Sequence, residues 1–161
     1  MPDALFTDTV PAIRIYPDDV LRAKAVEVPS TEFGTNLQRL TKLMLSLMYA
    51  NDGAGLAAPQ IGVSSRIVVA DPTYGHHAPI VLVNPRIVDQ RGRQDGPEGC
   101  LSVPGVHGDV RRHDSVVVEY QSATARSTKI HATGYLARIL QHEVDHLDGT
   151  LALLPRLFRI L

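Results

Sequence analysis

A pair of histidines four residues apart places the strongest constraint on how this chain can fold. Residues 142–146 read His-Glu-Val-Asp-His, and the sequence predicts a helix from about residue 134 to residue 148. Thr133 is a suitable N-cap for this helix, and Gly149 stands just past its predicted end. Because side chains four positions apart share one face of a helix, both imidazoles could reach the same cation. The alternative is two surface histidines that flank a glutamate by chance.

The same helix is expected to be buried, because it is apolar on more than one face. One face carries the apolar residues Leu136, Leu140, Val144 and Leu147. The face that holds the histidines continues backwards to Ile139 and Tyr135, so the imidazoles should look into a partly apolar cavity. Buried histidines need partners, which favours a metal site over the surface alternative.

The rest of the chain reads as one helix followed by several strands. The first helix is expected after a capping-box pattern at Thr35 and Gln38 and should end at Gly53. Strands are expected at residues 66–70, 80–83, 115–120, 128–132 and 151–154, with a turn at Asn84-Pro85. Strands that mostly precede a late helix favour an α+β fold. We expect one domain over residues 1–161, with antiparallel or mixed sheets around the central histidine-bearing helix and one N-terminal helix.

Composition argues against several classes of partner. Lys and Arg number 16 against 17 for Asp and Glu, so no broad basic field is available to a nucleic acid or an anionic membrane. No apolar run approaches the roughly 20 residues that span a bilayer. The opening Met-Pro-Asp-Ala-Leu is unlike a secretory signal, and a single cysteine fits a reducing compartment. A cytoplasmic location is therefore expected.

Cys100, the single cysteine, allows three interpretations. It could be a small buried hydrophobic residue, a nucleophile with His142 or His146 as its base, or a metal ligand. A catalytic metal site needs a third protein ligand and an open position for water. The ligand interpretation explains more than the others, because it uses both histidines and leaves Glu143 free to act on that water.

A glycine-rich segment follows the first predicted helix. Residues 53–60 read Gly-Ala-Gly-Leu-Ala-Ala-Pro-Gln, and the two glycines allow this backbone to approach another chain or a metal closely. Gln60 offers an amide NH₂ group suited to polarising a carbonyl. A phosphate loop is disfavoured, because the segment lacks both a Lys-Ser/Thr ending and the third glycine of the dinucleotide fingerprint.

Three segments in this order resemble the peptide deformylase family. Its members carry a GφGφAAxQ loop, in which φ is apolar, an EGCLS segment and a QHExDH helix, which stand here at 53–60, 98–102 and 141–146. The likeness extends from about residue 13 to residue 154. It implies a hydrolase that removes the formyl group from the N-terminal formylmethionine of nascent polypeptides and releases formate. Contact with the ribosome would be transient, without direct binding to nucleic acid or membrane.

The resemblance also implies catalytic roles, residue by residue. The implied metal ligands are Cys100, His142 and His146. Glu143 would be the general base and then the general acid. Gln60 and the backbone N–H of Leu101 would face the developing oxyanion. The family's usual cation is Fe²⁺, with Zn²⁺, Ni²⁺ or Co²⁺ as substitutes.

Substrate contacts follow from the same resemblance. The residues expected to bind the peptide are Ala54, Gly55, Gly99, Tyr135 and Ile139. Glu98 would pair with a basic residue, Arg112, to hold the cysteine segment in place.

Three features depart from the family's usual pattern. Ala54 replaces a bulkier aliphatic residue, which would widen or reshape the methionine pocket. His107 stands where many members have an arginine that assists peptide binding. Fifteen residues follow His146, so the long C-terminal helix of some members is expected to be absent.

Two other functions fit parts of the pattern. A metallopeptidase of the HExxH type would draw its third ligand from Glu, His or Asp further along the chain. The residues after His146 include no His, Cys or Glu, and Asp148 stands too close to the helix end. An inactive relative that binds peptides would be expected to lack Glu143, which is present.

Overall fold

A computed structural model describes residues 11–157 of the chain. The helices are α1 (Thr35–Ala50), α2 (Gly134–Leu147) and a short α3 (Leu154–Leu157). The strands are β1 (Gly55–Ala57), β2 (Ile67–Ala70), β3 (Ile80–Arg91), β4 (Gln94–Gly99), β5 (His107–Arg112), β6 (Ser115–Gln121) and β7 (Ser127–Thr133). Short 3₁₀ turns lie at Asp19–Leu21, Ser30–Glu32 and Ala58–Ile61. The opening residues 1–5, tested above for a secretory signal, lie outside the described part of the chain.

The strands form two antiparallel sheets. One sheet has the order β1-β2-β3-β6-β7, and the other consists of β4 and β5 alone. Every strand pair is antiparallel. The predicted α+β class with antiparallel sheets is therefore confirmed. No described helix is long and apolar enough to cross a membrane.

The two long helices cover opposite faces of the five-stranded sheet. Strand β2 shows why, because all four of its residues are buried. Val68 and Ala70 pack in a cluster with α2, whereas Ile67 and Val69 pack in a second cluster with α1. Since alternate residues of a strand point to opposite faces, an apolar run without alternation requires cover on both sides. Helix α2 contacts β1, β2, β3, β6 and β7 along its length.

A third apolar cluster lies beside the small sheet. Its buried members are Leu21, Val103, Val106, Leu151, Leu153 and Leu154, with Cys100 packed against them. The strand predicted at residues 151–154 is wrong, because these residues form a turn that leads into α3. Their leucines are buried in this cluster without joining a sheet, and apolar composition alone does not separate those two outcomes.

The turn predicted at Asn84-Pro85 is also wrong, because β3 continues through it. The register shifts between Val83 and Arg86, and Asn84 adopts a left-handed conformation with φ of 51°. The Asn84 side chain donates to the carbonyl of Val28 and accepts from its N–H. A bulge tolerates both a positive φ and a proline that cannot donate to the ladder.

The ends of the helices agree only in part with their sequence signals. Helix α1 begins at Thr35, and its N-cap is Gly34, so the predicted capping box of Thr35 and Gln38 does not form. Helix α2 has Thr133 at its N-cap and Gly149 past its end, as predicted. Gly149 has a φ of +71°, which suits the left-handed residue that ends a helix.

An alanine at Gly149 should destabilise the protein more than an alanine at Gly105. The two glycines have similar φ values of +71° and +76°. A Cβ at Gly149 would collide with the carbonyl of Arg22, whereas no described atom lies within 4 Å of one at Gly105. Gly105→Ala therefore measures the left-handed backbone alone, about 1–2 kcal/mol. Unfolding in urea should show a clearly larger loss for Gly149→Ala, and equal losses would contradict the collision.

Candidate active site

The three predicted metal ligands lie close together. Cys100 follows β4 in the β4–β5 connection, while His142 and His146 lie one turn apart on α2. The Cys100 Sγ lies 3.3 Å from Nε2 of His146, which lies 3.2 Å from Nε2 of His142. All three donor atoms lie within 4.8 Å of one another. One thiolate and two imidazoles are a ligand set that suits several divalent transition metals, so these residues fit the implied cation.

A buried carboxylate holds one of these histidines in place. Oε2 of Glu98 lies 2.9 Å from Nδ1 of His142, so Nε2 points towards the other two ligand atoms. Arg112 donates to both oxygens of Glu98, at 2.8 and 3.0 Å, and also pairs with Asp145. Arg138 donates to Oε1 of Glu98 at 2.8 Å. A carboxylate behind a ligating histidine fixes the tautomer and orientation of the imidazole.

The charges in this cluster shift the pKa values of its members. Burial raises the pKa of Glu98, but hydrogen bonds from His142 and Arg112 outweigh it and lower the pKa to about 2. Burial lowers the pKa of His142, but hydrogen bonds with Cys100 and Glu98 raise it to about 10. Burial, with the charge of His142 next, holds the pKa of His146 well below its usual range. A histidine binds a metal through an unprotonated nitrogen, so metal binding at His142 would compete with protons.

Glu143 is buried beside the histidines with one oxygen unpaired. Its side chain lies on α2, and Oε2 has no hydrogen-bond partner among the described residues. Burial raises the pKa of Glu143 to about 7, although the charge of His142 opposes that rise. A carboxyl group that titrates near neutral pH can both accept and return a proton. The unpaired oxygen retains its capacity to accept a hydrogen bond.

Gly55 on β1 makes room for this carboxylate. A Cβ at Gly55 would lie 2.5 Å from Oε1 of Glu143 and 2.8 Å from Cγ2 of Ile139. A side chain at this position would displace the carboxylate of Glu143 or the side chain of Ile139. At Gly55 the glycine-rich segment therefore packs closely against α2, an approach that a glycine allows.

Gln60 presents its amide donors towards the cysteine. Its Oε1 accepts from the Ala57 N–H at 2.9 Å, and its Nε2 donates to Ser102 Oγ at 3.2 Å. The same Nε2 lies 3.8 Å from the Cys100 Sγ. These contacts fix the orientation of the amide, because its oxygen is already engaged on the opposite side. Leu101 lies near the start of the glycine segment, 3.1 Å from the position that a Cβ of Gly53 would take.

A cavity of about 700 Å³ opens in front of these groups. All five residues predicted to bind substrate line it, namely Ala54, Gly55, Gly99, Tyr135 and Ile139. Glu143, Gln60, Leu101, His142 and Cys100 also line it. His107 reaches the wall from β5 and packs against Gly99, where a Cβ would meet its ring at 2.9 Å.

Sequence reasoning missed a tyrosine at the rim of this cavity. The hydroxyl of Tyr74 lies 2.8 Å from that of Tyr135, and both side chains are about half exposed. The loop that carries Tyr74 is held by Asp71, whose carboxylate accepts from Tyr49, Thr73 and Gly75. The turn-forming Asp71-Pro72 pair was the only sequence signal here, and it says nothing about where Tyr74 lies.

Arg138 was missed as well. It lies one turn before His142 on α2 and is 5% exposed, a buried cation in the middle of the helix. A charged residue inside a helix that is apolar on several faces was a usable signal, because such a charge needs buried partners.

Comparison with known proteins decides the family. A family model described as polypeptide deformylase matches residues 10–155. The chain belongs to the polypeptide deformylase family. Its members are metal-dependent enzymes of the hydrolase class, and peptide deformylases act on nascent peptides.

Individual members of the family are similar over most of the chain. A peptide deformylase of Thermodesulfovibrio yellowstonii is 45% identical over 86% of the chain and 84% of its own length. One from Symbiobacterium thermophilum is 49% identical over 84% of the chain, which spans only 61% of that relative. The crystal structure of a peptide deformylase from Legionella pneumophila has a TM-score of 0.87 at 41% identity, covering 94% of this chain and 90% of that one.

An alanine at Gly55 should impair the site more than an alanine at Gly53. The added methyl group of Gly55→Ala would displace the carboxylate of Glu143, which lies 2.5 Å from the Cβ position. At Gly53 the nearest atom is a terminal carbon of Leu101, at 3.1 Å, which can move more easily. We expect kcat on a formylated peptide to fall at least ~10²-fold for Gly55→Ala, as for loss of a general base, and far less for Gly53→Ala. Similar rates for both variants would contradict the packing argument.

Proposed function

We propose that this family member is a metal-dependent deformylase. It removes the formyl group from the N-terminal formylmethionine of nascent polypeptides and releases formate. The observation that carries this proposal is the buried carboxylate of Glu143, with one unpaired oxygen, beside the Cys100, His142 and His146 cluster. In this proposal residues 1–161 act as one catalytic domain, with α2 as its central helix.

Cys100, His142 and His146 would hold the cation. When bound there, a divalent cation lowers the pKa of a coordinated water and polarises the carbonyl that faces it. We propose Fe²⁺ as the native cation, with Zn²⁺, Ni²⁺ and Co²⁺ as substitutes. The ligand set by itself also suits zinc, which stands above iron in the general affinity order. The choice of iron therefore depends on the family resemblance.

Glu143 would move the protons. It accepts a proton from the attacking water, whose oxygen bonds to the formyl carbon. It then returns a proton to the amine nitrogen of methionine as the carbon–nitrogen bond breaks. Burial, which raises the pKa of Glu143 above its ordinary value, suits a carboxylate that accepts a proton and then returns it. Burial beneath Gly55 keeps bulk water from competing for this carboxylate.

Gln60 and Leu101 would stabilise the negative charge on the formyl oxygen. The Nε2 of Gln60 already points towards Cys100, because its Oε1 is held by Ala57. The backbone N–H of Leu101 would supply a second donor next to the cysteine. Donors that are in place before the charge develops are each worth roughly 10²–10³ in rate.

The substrate would bind as an extended strand beside β1. Strand β1 is at the edge of the five-stranded sheet and pairs only with β2, so its other edge can pair with a peptide. Its first residue, Gly55, lines the cavity. The methionine side chain would lie against Tyr135 and Ile139, with Ala54 and Gly99 on neighbouring walls. Recognition through main-chain groups would accept nascent chains of different sequence.

The surroundings of the enzyme follow from the same proposal. Nascent formylmethionyl peptides are its partners, and its contact with the ribosome is transient. A net charge of -1 offers no broad basic field for direct binding to nucleic acid or membrane. We propose a cytoplasmic location of the bacterial type.

A formate-release assay tests the reaction. Formyl-Met-Ala-Ser should give one formate for each free amine, whereas acetyl-Met-Ala-Ser should be inert, because an acetyl methyl group has no room beside Gln60 and Cys100. Glu143→Gln should lower turnover by roughly 10²–10⁴ and still bind metal. Equal rates on the formyl and acetyl peptides would sink the proposal, whereas near-normal turnover by Glu143→Gln would refute the role proposed for Glu143. Near-normal turnover would also show that another group moves the protons.

Metal loading tests the identity of the cation. Metal-free protein is loaded anaerobically with Fe²⁺ or Zn²⁺, and formate release is compared. The iron form should be faster and should lose activity in air, because ferrous iron and the Cys100 thiolate are both oxidisable. Cys100→Ala should bind either metal much more weakly. A zinc form that matches the iron form, with no effect of air on either, would refute iron and leave the reaction untouched.

A further inference from the structure

Arg138 links the two parts of the chain that supply the metal ligands. Cys100 comes from the β4–β5 hairpin, and the two histidines come from α2. The hairpin forms its own sheet and has no strand partner in the five-stranded sheet. The distance between the cysteine and the histidines therefore depends in part on side-chain contacts between the hairpin and α2.

The guanidinium of Arg138 supplies many of those contacts. Its Nη1 donates to Oε1 of Glu98 and to the carbonyl of Val110, each at 2.8 Å. Nη1 also contacts the carbonyl of Gly96 at 3.3 Å, and Nη2 donates to the carbonyl of Gln94 at 3.3 Å. These partners lie on both strands of the hairpin, and Glu98 is two residues before Cys100. The guanidinium of Arg138 is buried, and all of these acceptors lie in the hairpin.

Gly96 is shaped to receive this guanidinium. A Cβ at Gly96 would lie 3.1 Å from Nη2 and 3.3 Å from Cζ of Arg138. A methyl group there would press on a side chain that its hydrogen bonds hold in place. Strand β4 therefore supplies acceptors for Arg138 and, at Gly96, the space for its guanidinium.

Arg112 makes a second link between the hairpin and α2, through different atoms. It donates to Glu98 through Nε and Nη2, and its Nη1 pairs with Asp145 on α2. It is a hairpin residue that reaches towards the helix, whereas Arg138 is a helix residue that reaches into the hairpin. Loss of either one leaves Glu98 with the other and with His142.

We propose that Arg138 is a positioning residue that sets the distance between Cys100 and the two histidines. It acts by docking the hairpin on α2 and by holding Glu98 against His142. This inference rests on the proposed metal site. It assigns to Arg138 a role in metal affinity and geometry, beyond a contribution to folding.

Cobalt binding to metal-free protein tests this role without reference to turnover. Co²⁺ affinity is measured by chelator competition, and the thiolate-to-cobalt absorption per bound ion reports contact with Cys100. Arg138→Met should weaken Co²⁺ binding by about 10- to 100-fold, as for other groups that orient a ligand, and should lower that absorption. Arg138→Lys should fall between Met and the parent. Gly96→Ala should change both readouts in the same direction as Arg138→Met.

Arg111→Met is the matched control. Arg111 lies on the same hairpin and pairs with Asp95 in solvent, so its loss should leave cobalt affinity unchanged. A variant of Arg138 with parental affinity and absorption overturns the inference, even if its thermal unfolding temperature falls. If Arg138→Met does not fold, Arg138→Lys and Gly96→Ala decide by the same two readouts. A parent that binds Co²⁺ tightly but releases no formate would refute the proposed function and leave this inference standing.

Discussion

The carboxylate of Glu98 is the group on which the site depends most. It is buried and lies between two guanidinium groups and an imidazole, which belong to the hairpin and to α2. A buried charge is stable only with partners, and removal of one partner from such a cluster is costly. The hairpin therefore cannot move away from the helix without breaking this cluster. The same contacts that satisfy Glu98 place Cys100 opposite His142 and His146.

The sequence predicted best where its signals were local. The bounds of α2 could be predicted from Thr133 and Gly149, because both are local signals, although the Thr133 side chain makes no capping hydrogen bond. The β4–β5 hairpin was missed, since Gln-Asp-Gly-Pro-Glu-Gly has the composition of a turn. Its strands are stabilised by contacts with Arg138, more than 25 residues away from either strand, and no local pattern reports such contacts.

The site was predictable for a similar reason. The two histidines share a face because of their spacing, and Cys100 was assigned as their partner from the family motif and from its being the single cysteine. The burial of Glu143 under Gly55 could not be predicted, because it depends on how closely β1 approaches α2. The position of Tyr74 depends on the buried anchor Asp71, and the sequence shows neither the burial nor the three residues that donate to it.

The order of the ligands along the chain has a consequence for how the protein is made. Cys100 precedes His146, which lies 3.3 Å from it in the fold, by 46 residues, and α2 follows every described strand of both sheets. During synthesis from the N-terminus, all seven strands leave the ribosome before either histidine does. Each new copy therefore has a cysteine without its partner ligands until α2 has been translated and has docked. In the proposed function, the metal centre could therefore form only after α2 has been translated and has docked.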